Sequence, residues 1–261
     1  MKIVYSPGGQ LCNKMWSYSY YIAKSFKLYE KVFFLNFDDY LHLFPNLQAY
    51  KNIRFVKIKR SCSYFVLNLC RVAKKITNHV IDGWQYRSKT ALLDEFFEQI
   101  HFLFSPHPAV IQKCERIITK LKNKGSVVVG VHIRRGDYAQ FMNGMYYFEN
   151  ETYIHCMKQL QQEIGKEVCF FIASTDKITF IDPDITYFQI PQSTNIEDLY
   201  ALSLCDYIIG PPSSFSMWAS FYGKTPLRII SHLDEAIVLK DFKIIAAIDT
   251  FHDGTVFSHN L

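Results

Sequence analysis

No pair among the seven cysteines of this chain stands in a CxxC spacing. Cys12, Cys62, Cys70, Cys114, Cys156, Cys169 and Cys205 are odd in number and scattered. That excludes a zinc knuckle and a thioredoxin-type pair, and the thiols read as reduced and mostly buried, in a reducing compartment. Long apolar runs are also missing. Nothing approaches the roughly 18 residues of a membrane span, and the opening "MKIVYSPGG" lacks the apolar core of a secretory signal. The expected location is therefore cytoplasmic. There is no internal repeat and no low-complexity linker. A net charge of +5 biases the chain mildly toward anionic partners, but no continuous basic stripe and no RNA or DNA motif is present, so nucleic acid is not an expected partner.

What is present is a globular composition. With 261 residues, 49% of them hydrophobic, the chain can build one large domain or two smaller ones. Its many Tyr and Phe residues read first as core and second as stacking surfaces for sugars or bases. "KIVYS" predicts a short strand, "PGGQ" a turn, "NKMWSYSYYIAKSFK" a helix and "KVFFLNF" a second strand; this βαβ opening implies an α/β lobe. Residues 91–104, "ALLDEFFEQIHFLF", predict a helix broken at "SPHP". "AVIQKCERIITKLKNKG" predicts another, with lysines in its last turn and Gly125 as its stop.

A second and more regular alternation follows. "SVVVGVHI" is a continuous apolar strand of the kind buried in a parallel sheet. After it come the helix "ETYIHCMKQLQQEIG", the strands "VCFFIAS" and "TYFQI", the helix "NIEDLYALSLC", the strand "DYIIG", a helix within "PPSSFSMWASFYG" and the strand "PLRIIS". The expected division is an N-terminal α/β lobe over 1–124 and a doubly wound lobe over 125–261.

Ligands of parallel α/β sheets bind outside the carboxyl ends of the strands. Three polar clusters fall at such ends: "HIRRGDY", "STDK" and "GPPSSFS". Arg134 and Arg135 are neighbours on an extended segment, so their side chains diverge and only one is expected to point fully into the crevice. Arginine suits bidentate recognition of phosphate, and a guanidinium neutralises charge on a departing pyrophosphate without a metal. Ser213 and Ser214, with the backbone N–H groups of a helix start, make an anion site; a plain N-cap is the competing reading. Asp176 is placed to accept hydrogen bonds from a base or ribose. His132 read alone is a core histidine, and the two arginines read alone are ion-pair partners of Asp137. The clustering at strand ends of one sheet favours the functional reading.

These residues carry a resemblance. "HIRRGDY" matches in full the HxRRGDY motif of the inverting α-1,2-fucosyltransferases, and the chain resembles glycosyltransferase family 11. "PGGQLCNKMWSYSYYIA" is similar to that family's glycine-rich N-terminal segment, with Lys14 and Trp16 in place of the usual Gln and Phe. "NIEDLYALSLCDYIIGPPSSFSMWASFYGK" is similar to its C-terminal segment, with Pro212 for the usual Asn and Met217 for one of two tryptophans. Residues from about 36 to 90 match nothing in it.

The resemblance implies a GT-B-like fold: two Rossmann-like lobes with a cleft between them. It implies GDP-fucose as donor, a glycan or lipid-linked oligosaccharide as acceptor, and no metal. It places His132 near the base or ribose, Arg134 and Arg135 at the pyrophosphate, Asp176 at the guanine edge, and Ser213, Ser214 and Phe215 around the phosphates. Gly8, Gly9 and Asn13 would face the same cleft from the first lobe. Inversion asks for a base at the acceptor hydroxyl. Asp137 is the nearest carboxylate by motif, with orientation of an arginine as its other reading, and Glu149 and Glu151 stand behind it.

Two rival classes have a sequence feature or a simple logic. Asp182-Pro183-Asp184 is a DxD, which in a metal-dependent glycosyltransferase chelates a cation and the donor diphosphate. A non-catalytic module binding a GDP-sugar or a glycan is the other. Residues 51–75 also mix Lys51, Arg54, Lys57, Lys59, Arg60, Arg71, Lys74 and Lys75 with Phe55, Tyr64, Phe65 and Leu67. A solvated basic face is the plainer reading, and peripheral contact with the inner face of a membrane is the alternative.

Overall fold

The computed structural model describes residues 1–58, 60–87, 89, 91–122, 126–180, 182–232 and 236–246; the side chain of Arg60 is outside that description. The chain divides into two compact units, Met1–His107 with Ala246, and Pro108–Ile245. Each is an α/β unit around its own parallel sheet.

In the first unit, β1 (Lys2–Tyr5), β2 (Val32–Leu35), β3 (Ile53–Phe55) and β4 (Val80–Asp82) form a sheet of order β3-β2-β1-β4, every pair parallel. Helix α1 (Leu11–Leu28) connects β1 to β2 and α2 (Arg60–Ile76) connects β3 to β4. The aromatic excess goes into the core here. Tyr18, Phe34, Phe37, Phe55 and Phe104 interlock, with Phe34 and Phe55 stacked at 4.9 Å and Tyr18 tilted against Phe34 at 5.1 Å. The Tyr18 hydroxyl is satisfied inside the core by the Leu35 carbonyl.

Two expectations change. Over 91–104 only α3 (Phe97–Leu103) is helical, and residues 91–96 form turns. Leu92 and Asp94 still accept from Phe96 and Phe97, so the apolar pattern is satisfied by turns that place Leu93 in the core. Strands β3 and β4 were not expected at all: three residues each, within "KNIRFVK" and between "TNH" and "GW", carry too little periodicity to signal a strand.

In the second unit, α4 (Pro108–Lys122) precedes β5 (Val127–His132), α5 (Asn150–Ile164), β6 (Val168–Ala173), β7 (Tyr187–Gln189), α6 (Asn195–Ser203), β8 (Tyr207–Gly210), α7 (Ser214–Gly223) and β9 (Leu227–Ile229). The sheet order is β7-β6-β5-β8-β9, again wholly parallel. Burial on both faces explains the unbroken apolar runs of β5 and β6: Val129, Val131, Phe170 and Ile172 pack with Tyr153, Cys156, Met157 and Leu160 of α5.

Helix α4 was expected in the N-terminal lobe, and it packs with the second unit instead. Cys114 and Ile118 are buried, Lys113 pairs with Glu197 of α6 at 2.6 Å, and Lys122 pairs with Asp206 at 2.7 Å. The chain therefore divides at His107/Pro108. The stop expected at Gly125 falls outside the described residues.

Candidate functional site

The second sheet reverses its direction of growth between β5 and β8, which are hydrogen-bonded neighbours. A crevice at the carboxyl ends of two such strands is where open α/β sheets bind ligands. "HIRRGDY" leaves β5 there and "PPSS" leaves β8. Gly210 makes the approach of the two strand ends sterically feasible: a Cβ on it would lie 2.9 Å from both the Cβ and the carbonyl oxygen of His132.

His132 is buried, and its ring lies against Phe215 at 5.0 Å. Burial, helped by the Arg134 charge, pushes its pKa down to about 3, so it is a neutral hydrogen-bonding group. Its Nδ1 and the Nε of Arg134 are buried without a hydrogen-bond partner among the described residues. Such orphans cost roughly 1–3 kcal/mol each and are exceptions that functional sites carry.

The two arginines do diverge. Arg134 pairs with Asp137 at 2.9 Å and sits 5.2 Å from the Tyr138 ring, with its side chain partly exposed. Asp137 itself is 59% exposed. Arg135 is only 9% exposed. It donates to the Phe148 carbonyl and, at 2.6 Å, to Asn150 Oδ1, and its guanidinium lies 5.0 Å from the Tyr147 ring. Glu149 is a looser partner at 3.7 Å. The fork expected at a pyrophosphate is thus occupied by the 147–150 segment. Glu151 lies in the first turn of α5 and is exposed.

Ser213 caps α7, its hydroxyl accepting from the Phe215 N–H at 3.2 Å; Ser214 begins the helix. Tyr138, which sequence reasoning passed over, ties this loop to the first: its hydroxyl donates to the Pro212 carbonyl at 2.6 Å. Burial holds its pKa up at about 12, so it remains a donor. The signal for it was the last letter of the motif itself.

Asp176 lies beyond β6, the neighbour of β5. It lines a cavity of about 550 Å³ with Ser174, Lys177, Gln189, Ile190 and Ser193, within the size range of small-molecule sites. Gln189, also missed, ties the loop to β7: its amide donates to the Asp176 carbonyl at 2.7 Å and accepts from the Ile178 N–H at 3.0 Å.

Asp182-Pro183-Asp184 lies before β7, at the amino edge of the sheet, opposite these clusters. Asp182 pairs with Lys158 at 2.7 Å and accepts from the Asp184 N–H at 3.1 Å. Among the described residues no cluster of His, Cys, Asp or Glu has the arrangement of a metal site.

In the first unit, the sheet reverses between β1 and β4. Gly8, Gly9 and Asn13 follow β1; Trp84 and Arg87 follow β4. Gly9 has φ +76°, and a Cβ there would lie 2.5 Å from the Cβ of Asn13 and 2.8 Å from the Trp84 ring. A Cβ on Gly8 would meet nothing, so the second glycine is the constrained one. Asn13 Oδ1 accepts from Arg87 at 3.3 Å, and that guanidinium stacks on Trp84 at 3.8 Å. Trp84 and Arg87 were hidden with β4.

The family model described as Glycosyl transferase family 11 matches residues 3–233. Among solved structures, NodZ alpha-1,6-fucosyltransferase co-crystallized with GDP is 13% identical, with 88% of this chain and 94% of that one covered and a TM-score of 0.56. The glycosyl transferase family 9 structure from Veillonella parvula is 11% identical, with 96% and 85% covered and a TM-score of 0.53. No curated protein sequence gives a significant match. At these identities the likeness shows the fold, which is of the GT-B type.

Proposed function

We propose, since the chain belongs to glycosyl transferase family 11, that it moves fucose from GDP-fucose to a glycan hydroxyl in α-1,2 linkage, with inversion and without a metal. The observation that carries this reading is Arg134, held by Asp137 at 2.9 Å beside the buried neutral His132, at the point where the second sheet reverses. As the C1–O bond breaks, its electrons go to the β-phosphate oxygen, and a preorganised guanidinium stabilises that charge. Asp137 orients Arg134, Arg135 positions the loop behind it, and Ser213, Ser214 and Phe215 hold the phosphates at the start of α7. Asp176, at the rim of the 550 Å³ cavity, accepts from the guanine edge. Gly8, Gly9 and Asn13 serve the acceptor side. The ion pair of Asp182 with Lys158 supports the metal-free reading over a DxD mechanism.

The acceptor in this reading is a glycan or lipid-linked oligosaccharide, met in the cytoplasm during polysaccharide biosynthesis. Among the described residues no helix is long and apolar enough to cross a membrane.

A thermal-shift panel tests the donor. GDP and GDP-fucose should raise Tm, because a ligand that binds only the folded state stabilises it. UDP, CDP and ADP should not, because a site built for one base edge leaves its polar groups unpaired with another. Equal stabilisation by UDP would count against the reading. Loss of turnover in EDTA, restored by Mn²⁺ or Mg²⁺, would overturn its metal-free part.

A further inference from the structure

Helix α2 is apolar on two faces. Its inner face lies on the first sheet: Cys70 is buried, and Val66 and Leu67 pack with Tyr5 and Leu35. Lys74 pairs with Asp82 at the end of β4 at 3.1 Å, which fixes the helix in rotation. The other face should then be polar. It instead carries Phe65, Leu69, Val72 and Ile76, exposed by 69%, 57%, 56% and 80%, with Tyr64 beside them at 77%. Their spacing of i, i+4, i+7, i+11 makes one continuous stripe.

The charge that the helix and its flanking segments carry has one sign. No Asp or Glu occurs between Lys51 and Ile81. Lys51, Lys57, Arg71 and Lys75 are exposed, and Arg71 and Lys75 flank the stripe on the helix itself. We infer that α2 is a docking helix that lies in the plane of an anionic bilayer, with Phe65, Leu69, Val72 and Ile76 in the headgroup–acyl boundary and the basic residues on the lipid phosphates.

The charge selects this occupant. A second copy of the chain, paired by a two-fold axis along this helix, would bring Arg71 and Lys75 against their own counterparts with no acid on the helix to offset them. An anionic lipid surface meets both features at once: apolar depth for the stripe and negative charge for its flank. The inference extends beyond the donor reading and does not rest on it.

Sedimentation of the full chain with vesicles tests it. Mixed phosphatidylglycerol and phosphatidylcholine vesicles should carry the protein down at low salt, and pure phosphatidylcholine vesicles should not. The exposed pair Phe65→Ser with Leu69→Ser should lower the apparent affinity by about tenfold or more, since burial of the stripe supplies much of the binding. Arg71→Gln with Lys75→Gln should weaken binding and flatten its salt dependence. Circular dichroism confirms that each variant is folded, and GDP binding without vesicles tests the donor reading separately. Failure of the wild-type chain to sediment with anionic vesicles overturns the inference. So does unchanged binding by the serine pair, or a wild-type dimer that the serine pair converts to monomer, which would show that a second copy covers the stripe.

Discussion

The hydroxyl of Tyr138 donates to the carbonyl of Pro212 across 74 positions of sequence, at 2.6 Å. That bond joins the loop leaving β5 to the loop leaving β8, and so ties the cluster bearing Arg134 to the cluster bearing Ser213. Tyr138→Phe leaves the ring in place and removes the bond. The expected cost is about 0.5–1.5 kcal/mol of stability, with a smaller GDP-induced rise in Tm than in the wild-type chain. Calorimetry with and without GDP measures both, and an unchanged GDP response would separate this bond from the nucleotide site.

The two arginines should fail differently. Arg134→Lys keeps a charge but loses the planar fork. It should fold normally and lose on the order of 10²–10³ in kcat, the usual cost of one preorganised donor, with little change in KM. Arg135→Lys should lower Tm, by roughly 1–3 kcal/mol of stability, because the Phe148 carbonyl and Asn150 lose their buried partner. Steady-state kinetics with thermal melts on both variants decide. If Arg135→Lys melts normally and Arg134→Lys turns over normally, the assignment is reversed or void.

Gly210→Ala places a methyl group 2.9 Å from His132 Cβ and its carbonyl oxygen. Overpacking of this kind costs about 1–3 kcal/mol. Because the strain falls at the β5–β8 crossing point, the response to GDP should fall with the stability. A variant with wild-type Tm would show that the strands part freely there.

Asp198 supplies a pH dependence. Burial, with the neighbouring Glu197 adding to it, raises its pKa to about 7, and one carboxylate oxygen has no partner among the described residues. The folded chain keeps a proton that the unfolded chain gives up near pH ~4. The contribution is complete below that value and is lost as the pH rises to about 7. Asp198→Asn cannot ionise, so its Tm relative to the wild-type chain should improve between pH 5 and pH 8. A difference that does not change across this range contradicts the burial argument.

The alternation of the second unit was legible because it is local. "SVVVGVHI" and "VCFFIAS" are apolar without interruption, and only a strand covered on both faces accepts such a run. The polar clusters at their ends followed from the same reading. The first unit was harder. Strand β4 is too short to have a period, so Trp84 and Arg87 went unseen with it. Helix α4 had a clear period, but a period does not say which sheet the helix will cover.

Sequence by itself therefore determined the strands of the second unit and that Arg134 and Arg135 leave one of them on opposite sides. Only the tertiary structure decided which side holds the 147–150 segment, and so which guanidinium is already bound by protein. It also decided that Tyr138 reaches Pro212 and that the outer stripe of α2 is exposed among the described residues. The reason is physical: backbone preference acts within a few residues, whereas a side chain's partner is set by whatever else has packed within a few ångströms of it.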